Sequence, residues 1–360
     1  MAAFVVALLA VAAFVASRID LPYYALSPGS AQAVDPLVTV PKGMASTVHG
    51  DVLLTDVLLT RVTLLTYLPD TWSSDTDVVP ADEVLSPLTP PDQLVDQGYL
   101  QMAASQMAAK TAALRRLGYP VPEHDAGTLI ASVAPGSPAA RALRVGQIVT
   151  AVGATPTPDA CAFVAALHTR RPGDVVDLTV ERTSIAPDGR VTPGATVHRS
   201  VRLAKAAPHE TSSGCPGVVG PNRAFLGVEA STQQEFSYPF PVSVDTAGIG
   251  GPSAGLAMTL GIIDKLSGGH LTGGATVAAT GTISPDGTVG DVGGVAQKTI
   301  AVERAGATVF LVPPPEYQVA RSEATPSLHV YKVSTLDQAL AVLHRLGGQL
   351  PAGPSAPTGS

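Results

Sequence analysis

The sequence has few of the features that mark metal-binding, nucleic-acid-binding or ATP-driven proteins. It holds only two cysteines, Cys161 and Cys215, and their spacing does not match a metal site. It has no basic block and a net charge of −7, which argues against binding to nucleic acid. The P-loop pattern Gly-x-x-x-x-Gly-Lys-[Ser/Thr] is absent, so nothing in the sequence couples ATP hydrolysis to unfolding. We therefore expect no cofactor, no metal ion and no nucleic-acid partner.

The two cysteines leave one structural question open. In an exported protein, Cys161 and Cys215 can form a disulfide, which would join the central part of the chain to the segment that follows it. In a reducing compartment they would remain two separate thiols. The sequence does not decide between these alternatives.

The first residues form a continuous run of Ala, Val, Leu and Phe, from residue 2 to residue 16, which Arg18 and Asp20 end. This run is shorter than the stretch of about 20 residues that usually crosses the hydrocarbon core of a membrane. It also lacks the Lys or Arg that begins a signal peptide, and residues 15–17 form only a fair cleavage site. We interpret residues 1–18 as an uncleaved transmembrane helix. A signal-peptide core and a buried helix are the alternatives.

Changes in composition divide the rest of the chain, which at 360 residues is long enough for two or three domains. The first segment is β-rich and ends in a helix predicted over residues 99–117. The predicted boundaries are 19–118 for this N-terminal region, 119–205 for a second unit, 206–220 for a linker, 221–346 for a last domain and 347–360 for a disordered tail. The fold class is thus predicted to be α+β and multidomain.

Residues 119–205 carry a strand at 127–133, the motif Ser137-Pro138-Ala139 and a second strand within 146–153. This order resembles a PDZ domain, inserted between the β-rich region and the last domain. The family's usual Gly-Asp is Gly146-Gln147 here, and its carboxylate-binding Gly-Leu-Gly-Phe loop is not found. One expectation is that a peptide adds a strand to the edge of the PDZ sheet. The other is a spacer that only positions the next domain.

The most informative segment has the sequence GGPSAG at residues 250–255. A strand-like run precedes it at 240–245, and apolar residues at helical spacing follow it at 254–266. Ser253 is thus predicted at a turn between a strand and a helix, where the helix dipole and free backbone N–H groups can stabilise an oxyanion. We predict that the turn and its oxyanion site include the backbone of Gly251, Ala254 and Gly255.

About 45 residues later, the sequence GGVAQK ends at Lys298, in the first turns of a helix predicted over 295–305. Serine is a poor nucleophile unless a base removes its proton. A lysine held in apolar surroundings near a helix N-terminus has a lowered pKa and can be that base. On its own, Ser253 is more simply a helix cap and Lys298 a surface lysine. The two motifs together favour a serine–lysine dyad.

Three motifs in residues 221–346 carry a family resemblance: GPSAG at 251–255, TGTI at 280–283 and GGVAQK at 293–298. They are similar to motifs of the proteolytic domain of the Lon family, an α/β domain. The resemblance implies that Ser253 is the nucleophile, that Lys298 is the base and that Thr280 hydrogen-bonds near the lysine and orients it. Many Lon sequences have Asp three residues before the serine. That position is Gly250 here, so the resemblance supplies no acidic neighbour at this place.

The whole chain resembles a narrower group, the membrane-anchored, PDZ-containing Lon-like serine proteases of Gram-positive or actinobacterial type. The N-terminal apolar run, segment 22–29, the PDZ-like unit and GIGGPS at 248–253 carry this resemblance. It implies a single-pass cell-membrane protein with an extracytoplasmic catalytic domain. It also implies a homo-oligomeric ring, protein or peptide substrates, and a PDZ groove that can hold a peptide ligand.

These observations predict an ATP-independent serine endopeptidase that hydrolyses peptide bonds of unfolded or flexible extracytoplasmic proteins. One alternative is a non-catalytic membrane scaffold that binds peptides through its PDZ unit. A less favoured alternative is a Ser-His-Asp α/β-hydrolase, since G-x-S-x-G at 251–255 also fits a nucleophile elbow. That enzyme would need His270, His329 or His344, and only about 90 ordered residues follow Ser253, which is too few for that fold.

Overall fold

The computed structural model describes residues 2–84, 93–185, 191–205, 215, 224–246 and 248–350. The helices are α1 (Ala2–Ala16), α2 (Tyr67–Trp72), α3 (Ala81–Val84), α4 (Leu94–Arg116), α5 (Ala160–His168), α6 (Gly255–Leu266), α7 (Val295–Arg304), α8 (Tyr317–Glu323) and α9 (Leu336–Arg345). The predicted linker, apart from Cys215, and the predicted tail beyond residue 350 lie outside the described residues.

The strands alternate with these helices along the chain. They are β1 (Asp20–Ala33), β2 (Val38–Thr39), β3 (Asp51–Thr63), β4 (Asp77–Pro80), β5 (Glu123–Val133), β6 (Ile148–Val152), β7 (Thr155–Pro156), β8 (Val175–Ile185), β9 (Val191–Arg202), β10 (Ala204–Lys205), β11 (Ala224–Phe225), β12 (Val228–Phe236), β13 (Ser243–Val244), β14 (Thr276–Ala279), β15 (Thr282–Ile283), β16 (Val289–Gly290), β17 (Val309–Val312) and β18 (His329–Lys332).

A central sheet with the order β18-β17-β14-β3-β1-β4 lies beneath both motifs that carry the predicted catalytic residues. Strands β3, β14, β17 and β18 are parallel to one another, whereas β1 and β4 pair antiparallel. Parallel strands are stable when both of their faces are covered. Here α4, α6 and α9 share a core on one face, and α7 and α8 pack on the other.

The central sheet joins two segments that the sequence separates. Strands β1, β3 and β4 come from the β-rich N-terminal region, and β14, β17 and β18 come from the last predicted domain. The junction is the parallel pairing of β3 with β14, in which Leu53 lies opposite Ala278. The two segments therefore share one sheet and one core, and the first of them contributes directly to the surroundings of the second.

A second sheet, with the order β12-β5-β6-β8-β9 and β7 beside β6, forms the unit that resembles a PDZ domain. Helix α5 covers it through a core that includes Ile130, Phe163 and Leu178. One edge strand is β12, which the sequence places in the last domain, and the other is β9. The chain thus enters this unit from α4 and leaves it through β12 toward Ser253.

The two cysteines form a disulfide. Cys161, in the first turn of α5, is bonded to Cys215, and their Cα atoms lie 5.4 Å apart. The bond links the helix of the PDZ-like unit to the segment between β10 and β11. Of the two alternatives that the sequence leaves open, the structure has the paired form.

The predicted transmembrane helix is wrong. The apolar run does form a helix, α1, but at 15 residues it is only about 22 Å long, against about 30 Å for the hydrocarbon core of a bilayer. Among the described residues, no helix combines the length and the apolar character that crossing a membrane requires. The single-pass anchor, the membrane as a partner and the predicted location, a cell-membrane protein with an extracytoplasmic catalytic domain, are corrected accordingly.

Candidate active site

Ser253 lies in a tight turn between β13 and the start of α6. Gly251 adopts a φ of 88°, a left-handed conformation that strains any residue with a Cβ. Gly255, the first residue of α6, packs so closely that a Cβ there would lie 2.8 Å from Ile283 Cγ2 and 3.0 Å from Ser105 Oγ. The glycines on both sides of Ser253 therefore allow the turn to form and allow α6 to start against β15.

The backbone N–H groups of this turn differ in their availability. The N–H of Gly251 donates to the carbonyl of Gly98 at 2.8 Å, and that of Gly255 donates to the carbonyl of Pro252 at 3.4 Å. The N–H groups of Ser253 and Ala254 have no acceptor among the residues that the structure describes. Of the predicted oxyanion donors, Ala254 is thus the one whose N–H is unengaged, and the N–H of Ser253 lies beside it.

Lys298 lies one turn inside α7 and is only 2% exposed. Its side-chain nitrogen donates to Thr280 Oγ1 at 3.3 Å. Burial lowers the pKa of Lys298 from 10.5 to about 8, and the carboxylates of Asp56 and Glu316 offset part of this shift. A lysine with a pKa near 8 is neutral in about a tenth of the molecules at pH 7 and in about half of them at pH 8. The neutral form is the one that can act as a general base.

Thr280 connects the lysine to the serine turn. Its hydroxyl accepts from Lys298 Nζ and donates to the carbonyl oxygen of Ser253, each at 3.3 Å. The N–H of Gly281 donates to the same carbonyl at 2.9 Å. Ser253 and Lys298 are both described, and no direct hydrogen bond joins their side chains. Thr280 thus links the side chain of Lys298 to the backbone of Ser253.

Helix α4 supports the serine turn, which the sequence did not reveal. Ser105 Oγ donates to the carbonyl of Pro252 at 2.9 Å, and the carbonyl of Gly98 receives the N–H of Gly251. Ser105 and Pro252 are 147 residues apart in sequence, so no local signal predicts the contact. The turn that carries Ser253 is therefore held on one side by a helix from the N-terminal region.

Two carboxylates near Lys298 were also missed by sequence reasoning. Asp56, on β3, accepts from the backbone N–H of Ser30 at 2.7 Å and from its hydroxyl at 2.8 Å. Glu316, just before α8, accepts from the N–H of Val292 at 2.9 Å. The family resemblance suggests an acidic residue at position 250, where this chain has Gly250. The structure supplies negative charge to the lysine from two other elements instead.

The histidines that an α/β-hydrolase would need lie away from Ser253. His270 follows the C-terminal end of α6, about 18 Å along a 12-residue helix from the end that carries Ser253, and its ring stacks on that of His49. His344 Nδ1 lies 3.0 Å from the carbonyl of Gly348 in the same region. His329 begins β18, at the opposite end of the parallel strands from Thr280. This arrangement does not support a histidine base.

Within the described ranges, no group of three or more His, Cys, Asp or Glu side chains is arranged to hold a metal ion. The groups that the site described above contains are a hydroxyl, an amine and backbone N–H groups.

The PDZ-like unit has a strand edge beside a helix. Strand β12 pairs with β5 on one side, and no described strand pairs with its other side. Helix α5 lies next to β12, where the N–H of Ala160 donates to Thr232 Oγ1 at 3.2 Å. The residues Phe225-Leu226-Gly227-Val228 lead into β12 and place a Phe-Leu-Gly sequence at its start.

Comparison with known proteins identifies two domain families in the chain. Residues 241–344 match the family described as the Lon protease (S16) C-terminal proteolytic domain. Residues 115–191 match the PDZ domain family. The predicted presence of both domains is thereby confirmed.

Two of the relatives are Lon proteases that match part of this chain. The chain is 34% identical over 126 residues to Lon protease 1 of Sorangium cellulosum, covering 34% of this chain and 15% of that protein. It is 30% identical over 148 residues to the Lon protease of Ureaplasma parvum, covering 41% and 18%. The chain spans less than a fifth of the length of these two relatives.

A solved PDZ domain, from an SdrC-like protein of Listeria monocytogenes, is 15% identical to this chain. The alignment covers 29% of this chain and 87% of that domain, with a TM-score of 0.22. At this TM-score the similarity supports no conclusion about the present chain.

Proposed function

We propose that this chain is an ATP-independent serine endopeptidase in which Ser253 is the nucleophile and Lys298 the general base. The observation that carries the proposal is the burial of Lys298, which lowers its pKa to about 8. The side-chain nitrogen of Lys298 donates to Thr280 Oγ1, and the same hydroxyl donates to the carbonyl of Ser253. Homology to the proteolytic domain of Lon proteases supports the same chemistry.

The acylation half of the reaction uses Lys298 first as a base and then as an acid. Neutral Lys298 takes the proton of the Ser253 hydroxyl while Ser253 Oγ attacks the carbonyl carbon of the peptide bond. The carbonyl oxygen becomes an oxyanion, for which the unengaged N–H groups of Ser253 and Ala254 are the nearest donors in the turn. The ammonium of Lys298 then gives its proton to the leaving amine, the C–N bond breaks, and an ester on Ser253 remains.

Deacylation repeats these steps with water in place of serine. Lys298, neutral again, takes a proton from the water that attacks the ester carbonyl. The ester C–O bond breaks, Lys298 returns the proton to Ser253 Oγ, and the new carboxyl terminus leaves. Asp56 and Glu316 favour the ammonium form that appears twice in this cycle, so they stabilise the charge that proton transfer creates.

We assign unfolded or flexible polypeptides as substrates. The sequence has no P-loop, so it offers no means of coupling ATP hydrolysis to the unfolding of a folded substrate. The PDZ-like unit supplies a place for a peptide, as an added strand between the free edge of β12 and α5. A cleft of about 590 Å³ between α4, β12 and residues 243–245 joins this unit to the strand that leads to Ser253.

A homo-oligomeric ring is the assembly that we propose, on the resemblance of residues 241–344 to Lon proteolytic domains. Size-exclusion chromatography with light scattering measures it directly. A mass several times the 36.5 kDa of one chain supports the ring, and a monomer at all concentrations contradicts it.

The experiment for the proposed activity is hydrolysis of fluorescently labelled unfolded casein, with and without Mg-ATP. Wild type, Ser253→Ala and Lys298→Met are compared, with the exposed Lys332→Met as the matched control. We expect equal cleavage with and without ATP, loss in both active-site variants and full activity in the control. Cleavage that requires ATP, or that survives in Ser253→Ala, contradicts the proposal. An inactive wild type that binds peptides through β12 supports the non-catalytic scaffold instead.

A further inference from the structure

Thr55, in β3, has a buried hydroxyl that the mechanism above does not use. The residue is 1% exposed, and Thr55 Oγ1 has no hydrogen-bond partner among the described residues. A buried hydroxyl that lacks a partner costs about 1–3 kcal/mol, so most proteins avoid it. Valine would fill the same space without that cost. Packing alone therefore does not explain why this position has a hydroxyl.

The register of the sheet places Thr55 next to Thr280. Strands β3 and β14 are parallel neighbours, with Val52 opposite Val277 and Leu53 opposite Ala278. This pairing ends at Leu53 and Ala278, and β14 ends at Ala279. Continuing the same register for two residues places Thr55 level with Thr280, the residue that directly follows β14. Side chains alternate along a strand, so Thr55, inside β3, lies on the face that Leu53 occupies.

That face is the one on which α7 packs. Leu53 and Ala278 belong to one core cluster with Val295 and Val302 of α7. Helix α7 carries Lys298, whose nitrogen already donates to Thr280. Thr55 therefore lies on the sheet face that α7 covers, and the Thr280 hydroxyl is bonded to Lys298 of the same helix.

The residues of β3 on either side of Thr55 contact the start of α7, the helix that carries Lys298. Two residues before it, Leu53 packs in the cluster that contains Val295. Two residues after it, Val57 lies so close to Gly294 that a Cβ on that glycine would be 2.8 Å from Val57 Cγ1. Gly294 caps α7, and its carbonyl accepts the N–H of Lys298 at 3.0 Å. The part of β3 between these contacts, which includes Thr55, thus faces the first turn of α7.

We propose that Thr55 is a second positioning residue for Lys298, and that its hydroxyl accepts a hydrogen bond from the lysine nitrogen during catalysis. The inference rests on the proposed function of Lys298 as a base. A neutral amine has two N–H groups and one lone pair. Thr280 accepts one N–H, Thr55 accepts the other, and the lone pair is left to face Ser253. After proton transfer, the third N–H of the ammonium faces the Ser253 oxygen.

Two carboxylates complete the charged surroundings of this amine. Asp56 extends from the neighbouring position on β3, and Glu316 precedes α8; both favour the ammonium of Lys298. Neither is altered by a change at Thr55. A shift in the titration of Lys298 in a Thr55 variant therefore reports the loss of the hydroxyl alone.

The test compares Thr55→Val, which removes the hydroxyl at nearly constant shape, with Thr55→Ser, which keeps it. Thr272→Val is the control, because Thr272 is equally buried but bonds to the carbonyl of His49 at the far end of α6. The first readout is kcat and KM, each measured against pH, for an unfolded substrate. The second is the titration of the Lys298 Cε resonance by NMR, assigned with Lys298→Met, which needs no activity.

We expect Thr55→Val to lower kcat by about 10-fold or more with little change in KM. Because an acceptor favours the charged amine, its loss also moves the titration of Lys298 down by about half a unit to one unit. Thr55→Ser and Thr272→Val keep the wild-type values. The Tm of Thr55→Val does not fall, since the Thr55 hydroxyl has no hydrogen-bond partner among the described residues. If the valine variant fails to fold, Thr55→Ala takes its place.

Wild-type kcat and an unshifted Lys298 titration in a folded Thr55→Val protein overturn the inference. A shifted titration in a protein that cleaves nothing, wild type included, keeps Thr55 as a partner of Lys298 and rejects the peptidase function instead. The two readouts thus separate the failure of one proposal from the failure of the other.

Discussion

Ser105 donates its hydroxyl hydrogen bond to the carbonyl of Pro252, 2.9 Å away, and so ties α4 to the residue that precedes the predicted nucleophile. The same helix receives the N–H of Gly251 on the carbonyl of Gly98. Helix α4 therefore makes two hydrogen bonds to the Gly251–Pro252 segment, one to the N–H of Gly251 and one to the carbonyl of Pro252. Positions of catalytic groups matter on this scale, since a displacement of about 1 Å can cost about 100-fold in rate.

Replacing Ser105 by Ala is expected to reduce kcat by about 10-fold, because the turn loses one of its two anchors. The expected loss of stability is about 1 kcal/mol, typical of a single hydrogen bond. Steady-state proteolysis and urea unfolding measure the two effects. Ser322→Ala, which removes an exposed hydroxyl bonded within α8, is the control. A Ser105→Ala enzyme with wild-type kcat would show that the turn does not depend on α4.

The carboxylates of Asp56 and Glu316 set how far the pKa of Lys298 is lowered. Both act to raise it against the larger effect of burial. Asp56→Asn and Glu316→Gln are therefore expected to lower it further and to move the acidic limb of the pH–rate profile to lower pH, by about half a unit to one unit each. The exposed Asp291→Asn is the matched control. A limb that moves to higher pH in either variant contradicts this assignment.

Lys298 also makes stability depend on pH. Its pKa is about 8 in the folded protein, and that of an exposed lysine is 10.5, so the unfolded chain binds more protons between these two values. Stability therefore rises with pH across this window, by about 3 kcal/mol when the window is fully crossed. Below the window both states are charged, and the full cost of burying the ammonium is present.

The measurement is urea unfolding of wild type and Lys298→Met at about pH 7 and about pH 10. Other titrating groups are common to both proteins and cancel in the difference. We expect wild type to gain stability relative to Lys298→Met as the pH rises. A difference that is constant with pH would mean that Lys298 titrates as an exposed lysine.

The Cys161–Cys215 disulfide joins two residues that are 54 positions apart in the sequence. Constraint of the unfolded chain by such a bond contributes about 2–4 kcal/mol. Reduction is therefore expected to lower the Tm, with the double variant Cys161→Ser/Cys215→Ser as the irreversible counterpart. Calorimetry in the presence and absence of reductant measures the change. An identical Tm for the reduced protein, the oxidised protein and the double variant would argue against a stabilising role.

Local sequence signals predicted the elements around the catalytic motifs well. The helices after Ser253 and around Lys298 were predicted over 254–266 and 295–305, and they span Gly255–Leu266 and Val295–Arg304. These signals are glycines at turns and apolar residues at helical spacing, which act within a few residues of each other. They place each residue on its own element.

What the sequence could not predict depends on contacts between distant segments. The pairing of β3 with β14 brings Asp56 toward Lys298. The hydrophobic periodicity of the sequence does not indicate which strands become neighbours in a sheet. The membrane prediction failed for another reason. The apolar run was interpreted as a span although it is shorter than about 20 residues, and the helix that it forms, α1, is no longer than the run itself, at 15 residues.

The most direct test of the account is the pH dependence of kcat/KM for cleavage of an unfolded substrate by wild type and Lys298→Met. With Lys298 as the base, wild-type kcat/KM rises with unit slope and levels off above about pH 8, the pKa that burial gives this lysine. Lys298→Met, folded as judged by circular dichroism, is expected to lack activity throughout. A wild-type limb near pH 6.5, the usual pKa of histidine, or a Lys298→Met enzyme with the wild-type profile, would contradict the serine–lysine dyad.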